Sequence, residues 1–239
     1  MVTFPCGLQA GAVIFDFDGV IVDTEPLHYA AFQRLLEPLE LGFSWERYVE
    51  TYMGFDDRDA FMEAFKGHER GLSAPALADL IERKAALFQE IIRDGISAYP
   101  GVVDLIRRIH GSRTPLAISS GALRSDIAPI LETLGIADCF DVIITAEDVA
   151  KSKPDPECYR LAHARLNTFR SLNLPPRQVL AIEDTPAGIA SAKGAGLQVL
   201  AVTNSYPAEQ LSQADVITAT LDLPEISFDP WYPATPIFS

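Results

Sequence analysis

The stretch Ala12-Val13-Ile14-Phe15-Asp16-Phe17-Asp18-Gly19-Val20 decides how this chain is to be read. A short, unbroken apolar run of this kind suits a strand buried on both faces. Two carboxylates at its end are costly unless a cation or a reacting group uses them. Side chains two apart on a strand point the same way, so Asp16 and Asp18 face one site if the strand geometry persists. Gly19 lets the backbone turn sharply and come close to a ligand. Taken alone, the pattern also fits a polar strand end capping a turn.

Five further segments share the character of the first: Leu116–Ser119, Val142–Thr145, Val179–Ile182, Val199–Val202 and the weaker Val216–Thr218. Between them lie helical patterns at Val102–His110, Ser125–Leu134, Glu157 to about Arg170, and Ala187–Ala195. Alternation of strand and helix predicts an α/β fold with a doubly wound parallel sheet, whose ligands bind at the carboxyl ends of the strands. The first strand is followed by far more chain than a crossover needs. That excess reads as helices at Pro26–Leu36 after the possible cap Thr24, and at Trp45–Tyr52, Asp57–Phe65 and Ala76–Ile92. The expected organisation is a core of residues 1–24 and 95–239 with an inserted α-helical cap domain at 25–94, joined by two linkers that form a hinge. Leu166–Pro176 reads as a surface excursion. The Pro-rich Leu221–Ser239 tail, with Trp231, Tyr232 and Phe238, reads as an extended segment docked by its aromatics.

Composition narrows the function classes. The chain has 239 residues, 48% of them hydrophobic, enough for a sizeable core. Its net charge of -14 argues against a nucleic-acid binder or an anionic-membrane binder, and means that a small anionic substrate needs local positive charge or a metal. Cys6, Cys139 and Cys158 show no CxxC spacing, which disfavours a disulfide framework or a zinc site and favours a reduced, cytoplasmic setting. Residues Met1 to Gly11 do not resemble a secretion signal, and no apolar run approaches membrane-spanning length. Oligomeric state is not legible, and a monomer is the default expectation.

Three other strand ends carry chemistry. Ser119-Ser120-Gly121 offers hydroxyls and backbone N–H groups ahead of a helix, a plausible phosphate cradle or an ordinary turn. Lys151-Ser152-Lys153-Pro154-Asp155-Pro156 holds a cation in a proline-restricted backbone, and Glu183-Asp184-Thr185 presents a second acidic pair. Four carboxylates converging without a cation would repel one another. A hard divalent ion such as Mg2+ takes a few carboxylate or carbonyl oxygens plus water and phosphate, which matches what is offered.

These motifs, in this order, resemble the haloacid dehalogenase superfamily of phosphohydrolases, in the branch similar to β-phosphoglucomutase and phosphoglycolate phosphatase. The resemblance rests on Asp16-Phe17-Asp18-Gly19-Val20-Ile21-Val22-Asp23-Thr24-Glu25, Ser119-Ser120-Gly121, Ser152-Lys153-Pro154-Asp155-Pro156 and Ile182-Glu183-Asp184-Thr185-Pro186-Ala187-Gly188-Ile189. It implies a Mg2+-dependent phosphatase acting on a small phosphorylated metabolite. Asp16 would be the nucleophile and Asp18 the acid/base. Mg2+ would be held by Asp16, the Asp18 carbonyl and Asp184, with Glu183 a direct or water-mediated partner. Ser119, Ser120 and Lys153 would hold phosphate oxygens. The resemblance also implies that the cap selects the substrate through His28 and the loop carrying Gly54, Asp57 and Arg58.

Departures from the mutase pattern separate the two activities. The mutase has a lysine before the loop glycine and an arginine three after it, whereas this chain has Met53 and Asp57, with Arg58 displaced by one. Ala122 and Leu123 replace the Lys-Asn that helps the mutase grip a second phosphate. A phosphatase is therefore favoured over a mutase, although Arg58 or Arg124 still offers a distal contact. A phospho-receiver signalling module uses similar groups, but its nucleophile lies on a later strand with no large insertion after the first. A metal-free dehalogenase would have no evident need for Asp18 and the Glu183-Asp184 pair. A non-catalytic binding protein of this fold is an open alternative, set against the presence of every expected catalytic residue type.

Overall fold

The structure, a computed structural model, describes residues 1–5, 7–53, 55 and 57–229. Its strands are β1 (Val2–Thr3), β2 (Gln9–Ala10), β3 (Ala12–Phe15), β4 (Leu116–Ser119), β5 (Val142–Ile144), β6 (Val179–Glu183), β7 (Gln198–Val202), β8 (Val216–Thr218) and β9 (Ser227–Phe228). Helices α1 (Glu25–Leu36), α2 (Trp45–Arg47), α3 (Asp57–Gly67) and α4 (Ala74–Asp94) precede β4. Helix α5 (Val102–Gly111) also does, while α6 (Arg124–Thr133), α7 (Glu157–Phe169) and α8 (Pro186–Gly194) alternate with the later strands. The residues divide into two units, one of Met1–Asp23 with the chain from Ser97 onward, the other Thr24–Ile96.

In the first unit, six described strands form one parallel sheet in the order β5-β4-β3-β6-β7-β8. The apolar run of β3 lies at its centre because every residue of Ala12–Phe15 is buried. Ala12 and Ile14 pack into one cluster with Cys158, Tyr159 and Ala162 of α7 and Ile189 and Ala192 of α8. Val13 and Phe15 therefore face the other side of the sheet, where Phe15 meets the Phe140 edge at 6.2 Å. Full burial of each such branched or aromatic side chain stabilises by roughly 1.5–3 kcal/mol. From β3 the chain steps outward through β4 and β5, then returns to the far side of β3 as β6. That reversal makes a crevice at the carboxyl ends of β3, β4 and β6.

The amino terminus adds a feature that its short apolar pieces did not announce. Strand β1 pairs antiparallel with β2 and with β9, forming a separate three-stranded sheet. The incoming segment is further held by Arg108, whose guanidinium donates to the carbonyls of Leu223, Pro224 and Ile226 at 2.9, 3.0 and 3.1 Å. The aromatics Trp231, Tyr232 and Phe238 of the expected docked tail lie outside the described residues. The Leu166–Pro176 excursion is anchored from both directions. Leu174 N donates to Asn167 Oδ1 at 3.0 Å, and Asn167 Nδ2 donates to the Leu174 carbonyl at 3.1 Å.

The second unit is helical. Thr24 makes no side-chain capping bond to α1, whereas Ser73 caps α4 by accepting from Ala76 N at 3.4 Å. The helix expected over Trp45–Tyr52 is instead a single turn, α2, followed by a wider π turn at Tyr48–Tyr52 closed by Met53 N on the Tyr48 carbonyl at 2.9 Å. Aromatic packing accounts for the widening. Tyr48 and Tyr52 are both buried, and Tyr52 stacks on Phe43 at 4.1 Å within a core that includes Phe32 and Phe61.

Candidate active site

Asp16 stands one residue beyond β3, where its own N–H bonds the Ile182 carbonyl at 2.9 Å and ties it to neighbouring β6. Its Oδ1 accepts from Phe17 N at 2.7 Å and from Lys153 Nζ at 2.8 Å. Lys153 also donates to Glu183 Oε1 at 2.7 Å and lies 5.1 Å above the Tyr159 ring. The sheet thus brings together residues from the ends of three strands, and the Lys153-Pro154 peptide is cis. Asp18 follows on a turn in which Gly19 has φ +76°, and Gly19 N bonds the Val22 carbonyl at 2.8 Å.

Glu183 has no exposure at all, and both its oxygens are engaged. Oε1 accepts from Lys153 and from the Tyr159 hydroxyl, each at 2.7 Å. Oε2 accepts from Asp184 N at 3.2 Å, Thr185 N at 3.4 Å and Thr185 Oγ1 at 3.3 Å. The room for this carboxylate comes from Gly188, since a Cβ there would overlap it. Asp184, next along, is also buried. Its Oδ2 accepts from the Ser205 hydroxyl, while its Oδ1 has no hydrogen-bond partner.

The hydroxyls of the β4 end differ from one another. Ser119 Oγ is fully buried without a partner. Ser120 Oγ accepts from Ala122 N at 2.9 Å, and Ser120 N bonds the Ile144 carbonyl at 3.0 Å, so Ser120 shapes the turn and retains only its hydroxyl proton to donate. Arg124 is committed elsewhere. Its guanidinium donates to the Ile143 carbonyl and to Asp148, both at 3.0 Å.

Electrostatics single out the same group. Burial, then the Glu183 charge, pushes the Asp16 carboxyl well above the usual range against the pull of Lys153. Burial pushes Asp184 up to about 7, with the Ser205 hydrogen bond opposing and Glu183 adding to the rise. Burial alone would lower Lys153, but the charges of Asp16 and Glu183 outweigh it and hold the ammonium above its ordinary value. Tyr99 is raised to about 12 by burial and by the charges of Asp23, Asp184 and Asp18.

A divalent cation fits this donor set. Single carboxylate oxygens of Asp16, Glu183 and Asp184 lie within 4.8 Å of one another, and Asp184 Oδ1 is buried with nothing to bond. A cation there would relieve the cost that raises both aspartates. The Glu183 oxygens also accept from Lys153, Tyr159 and the Thr185 turn, which ties the lysine to this acidic group.

Sequence reading missed four participants. Tyr159 looks like one more apolar-face residue of α7, and Tyr99 sits in a linker. Asn204 and Ser205 follow β7 with no charge to flag them, although register alone, with Glu183 opposite Ala201, places their loop beside Asp184.

The residues expected to select substrate belong to the helical unit. There Lys84, only 3% exposed, donates to His28 Nδ1 and to Asp57 Oδ1, each at 2.7 Å. His28 stacks on Phe88 at 4.2 Å, and burial followed by the Lys84 charge pushes its imidazole down to about 3. Arg58 is exposed on α3, and Gly54 lies outside the described residues.

Comparison with known proteins agrees with the motif reading. The haloacid dehalogenase-like hydrolase family profile matches residues 13–202. The chain is 34% identical over 217 residues to protein CbbY of Rhodobacter capsulatus, covering 87% of this chain and 92% of that protein. It is 31% identical over 214 residues to validoxylamine A 7'-phosphate phosphatase of Streptomyces hygroscopicus subsp. limoneus, covering 87% and 92%. Its fold is similar to that of a CbbY variant from Rhodobacter sphaeroides in complex with xylulose-(1,5)bisphosphate, with TM-score 0.75, 28% identity and coverage of 90% of this chain and 96% of that one. Profile, relatives and sheet topology converge with the ordered motifs at the strand ends, and the chain belongs to the haloacid dehalogenase-like hydrolase family.

Proposed function

We propose that this protein is a Mg2+-dependent phosphatase of small phosphomonoesters that works through an aspartyl phosphate on Asp16. The observation that carries the reading is the buried Asp16 carboxylate held against Lys153, beside two unpartnered buried oxygens, Ser119 Oγ and Asp184 Oδ1. Asp16 and Asp184 side chains with the Asp18 carbonyl would hold the ion, which when bound offsets their charge and polarises the phosphoryl group.

Lys153 and the Ser119 hydroxyl supply positive charge and a hydrogen bond to phosphoryl oxygens, with Ser120 adding its remaining proton. An Asp16 carboxylate oxygen attacks phosphorus as the bond to the leaving oxygen breaks, and Asp18 gives that oxygen its proton. Asp18 then takes a proton from a water, whose oxygen attacks the aspartyl phosphate. Inorganic phosphate leaves and the Asp16 carboxylate is restored. Glu183 keeps Lys153 aimed at Asp16 throughout.

A sugar phosphate or a phosphoglycolate-like ester is the substrate class, in keeping with the phosphatase names among the relatives. Selection would fall to the helical unit acting as a cap, through His28, Gly54, Asp57 and Arg58. A mutase needs a second anion site. Here Ala122 and Leu123 carry no charge, the Arg124 guanidinium is bonded to Ile143 and Asp148, and the buried Lys84 is compensated by Asp57. No helix among the described residues is long and apolar enough to cross a membrane. The cysteine usage supports a reduced, cytoplasmic setting, and a monomer is the proposed state.

The test is phosphate release from a panel of phosphorylated sugars, phosphoglycolate, nucleotides and pyrophosphate, with and without EDTA. Asp16→Asn should lose about a thousandfold or more in turnover while remaining folded. Full turnover in folded Asp16→Asn would sink the covalent mechanism, and conversion of a sugar 1-phosphate to its 6-phosphate without phosphate release would establish the mutase instead.

A further inference from the structure

We infer that Ser205 is a positioning residue for the Asp184 carboxylate, and that the loop Thr203-Asn204-Ser205 aligns the metal-binding oxygens of this site. The inference rests on the divalent-ion reading proposed above. An aspartate carboxyl turns about a broad, two-fold torsion, so burial by itself does not decide which oxygen faces a ligand. Here the Ser205 hydroxyl donates to Oδ2, leaving Oδ1 as the buried oxygen with an open lone pair. The carboxylate also lies against Gly19, where a Cβ would overlap Oδ2, so this orientation needs a residue without a side chain at position 19.

The same loop reaches the other half of the ligand set. Asn204 Nδ2 donates to the Gly19 carbonyl at 2.6 Å, holding the Gly19-Val20 peptide one unit beyond the Asp18 carbonyl. One short loop is thus bonded to the Asp184 side chain and to the Asp18-Gly19 turn. Its placement follows from the sheet, because β7 runs beside β6 with Glu183 opposite Ala201, and the chain leaving β7 must pass Asp184. Partners of this kind orient metal-ligating carboxylates, and their loss typically weakens metal binding by about 10–100-fold.

The experiment measures Mn2+ affinity of the full chain by electron paramagnetic resonance and Mg2+ affinity by calorimetry, without substrate. The proteins compared are the unaltered chain, Ser205→Ala, Ser205→Thr and Asp184→Asn. Ser205 is exposed, so its variants should fold, which circular dichroism checks. We expect Ser205→Ala to raise Kd for both ions about tenfold or more, Ser205→Thr to keep the original affinity, and excess Mg2+ to restore kcat in Ser205→Ala. The inference is overturned if Ser205→Ala binds both ions as tightly as the unaltered chain while Asp184→Asn does not. A lowered unfolding temperature with unchanged Kd, the mark of a purely structural bond, overturns it too. So does an affinity loss that does not follow the hydroxyl. If the unaltered chain binds neither ion, the metal site itself falls and takes the inference with it.

Discussion

Glu183 shows how much the site depends on single residues. Its carboxylate spends one oxygen on Lys153 and Tyr159 and the other on the Thr185 turn, so a charge with no access to water is fully hydrogen-bonded. The space it occupies exists because position 188 has no side chain. The first turn of α8 cannot back away, since Gly188 N is itself bonded to the capping Thr185 hydroxyl at 3.0 Å. Gly188→Ala should therefore destabilise the fold by about 1–3 kcal/mol in denaturant unfolding and lower turnover as Lys153 loses its anchor. An unchanged unfolding midpoint would mean that the carboxylate has room to move. In the sequence, Gly188 is legible as a close helix–sheet approach, but not as the seat of a particular carboxylate. Tyr159 and Ser205 were illegible for a related reason. Neither has a charge or motif spacing, and each acts through a partner 24 or 21 residues away.

At the scale of elements, the helical unit gathers α1, α3 and α4 around one buried ammonium, with His28, Asp57 and Lys84 each contributed by a different helix. Lysine is almost never buried unless paired, so α4 by itself gives no reason to turn Lys84 inward. Only the packing of α1 and α3 against α4 supplies its partners, and Phe32 and Phe88 add ring faces at 5.0 and 5.1 Å. His28 accepts from the ammonium and stays neutral, its pKa pushed from 6.5 down to about 3 by burial and the Lys84 charge. Below the unfolded value the unfolded chain takes up a proton that the folded chain does not. Stability is therefore lost as pH falls from about 6.5 toward 3. In His28→Gln, whose amide oxygen also accepts from Lys84, this part of the pH dependence should vanish. Denaturant unfolding at pH 7 and pH 4.5 reads the difference, and identical pH dependence in both proteins would show that the imidazole does charge in the fold.

For the molecule as a whole, 33 acidic residues against 19 basic ones surround a site proposed for an anion. Attraction is local, at Lys153, while the net field at longer range is repulsive. Raising monovalent salt from about 0.01 to 0.15 M shortens the screening length from about 30 to 8 Å and should raise kcat/KM for a dianionic ester while leaving kcat unchanged. A fall in kcat/KM would mean that the cationic field of the site dominates even at a distance. The sequence by itself determined the alternation of apolar strands and amphipathic helices, the excess of chain after the first strand, and the order of the four motifs. These are legible because periodicity and costly charges at strand ends are local properties of the chain. Tertiary structure alone decided which hydroxyl of Ser119-Ser120 is spoken for, that Glu183 anchors Lys153, and that a loop after β7 reaches Asp184. It also paired the amino terminus with β9 and turned Lys84 inward. Each of these depends on contacts between residues distant in sequence, and such contacts are set by strand register and helix packing, which no short stretch of chain encodes.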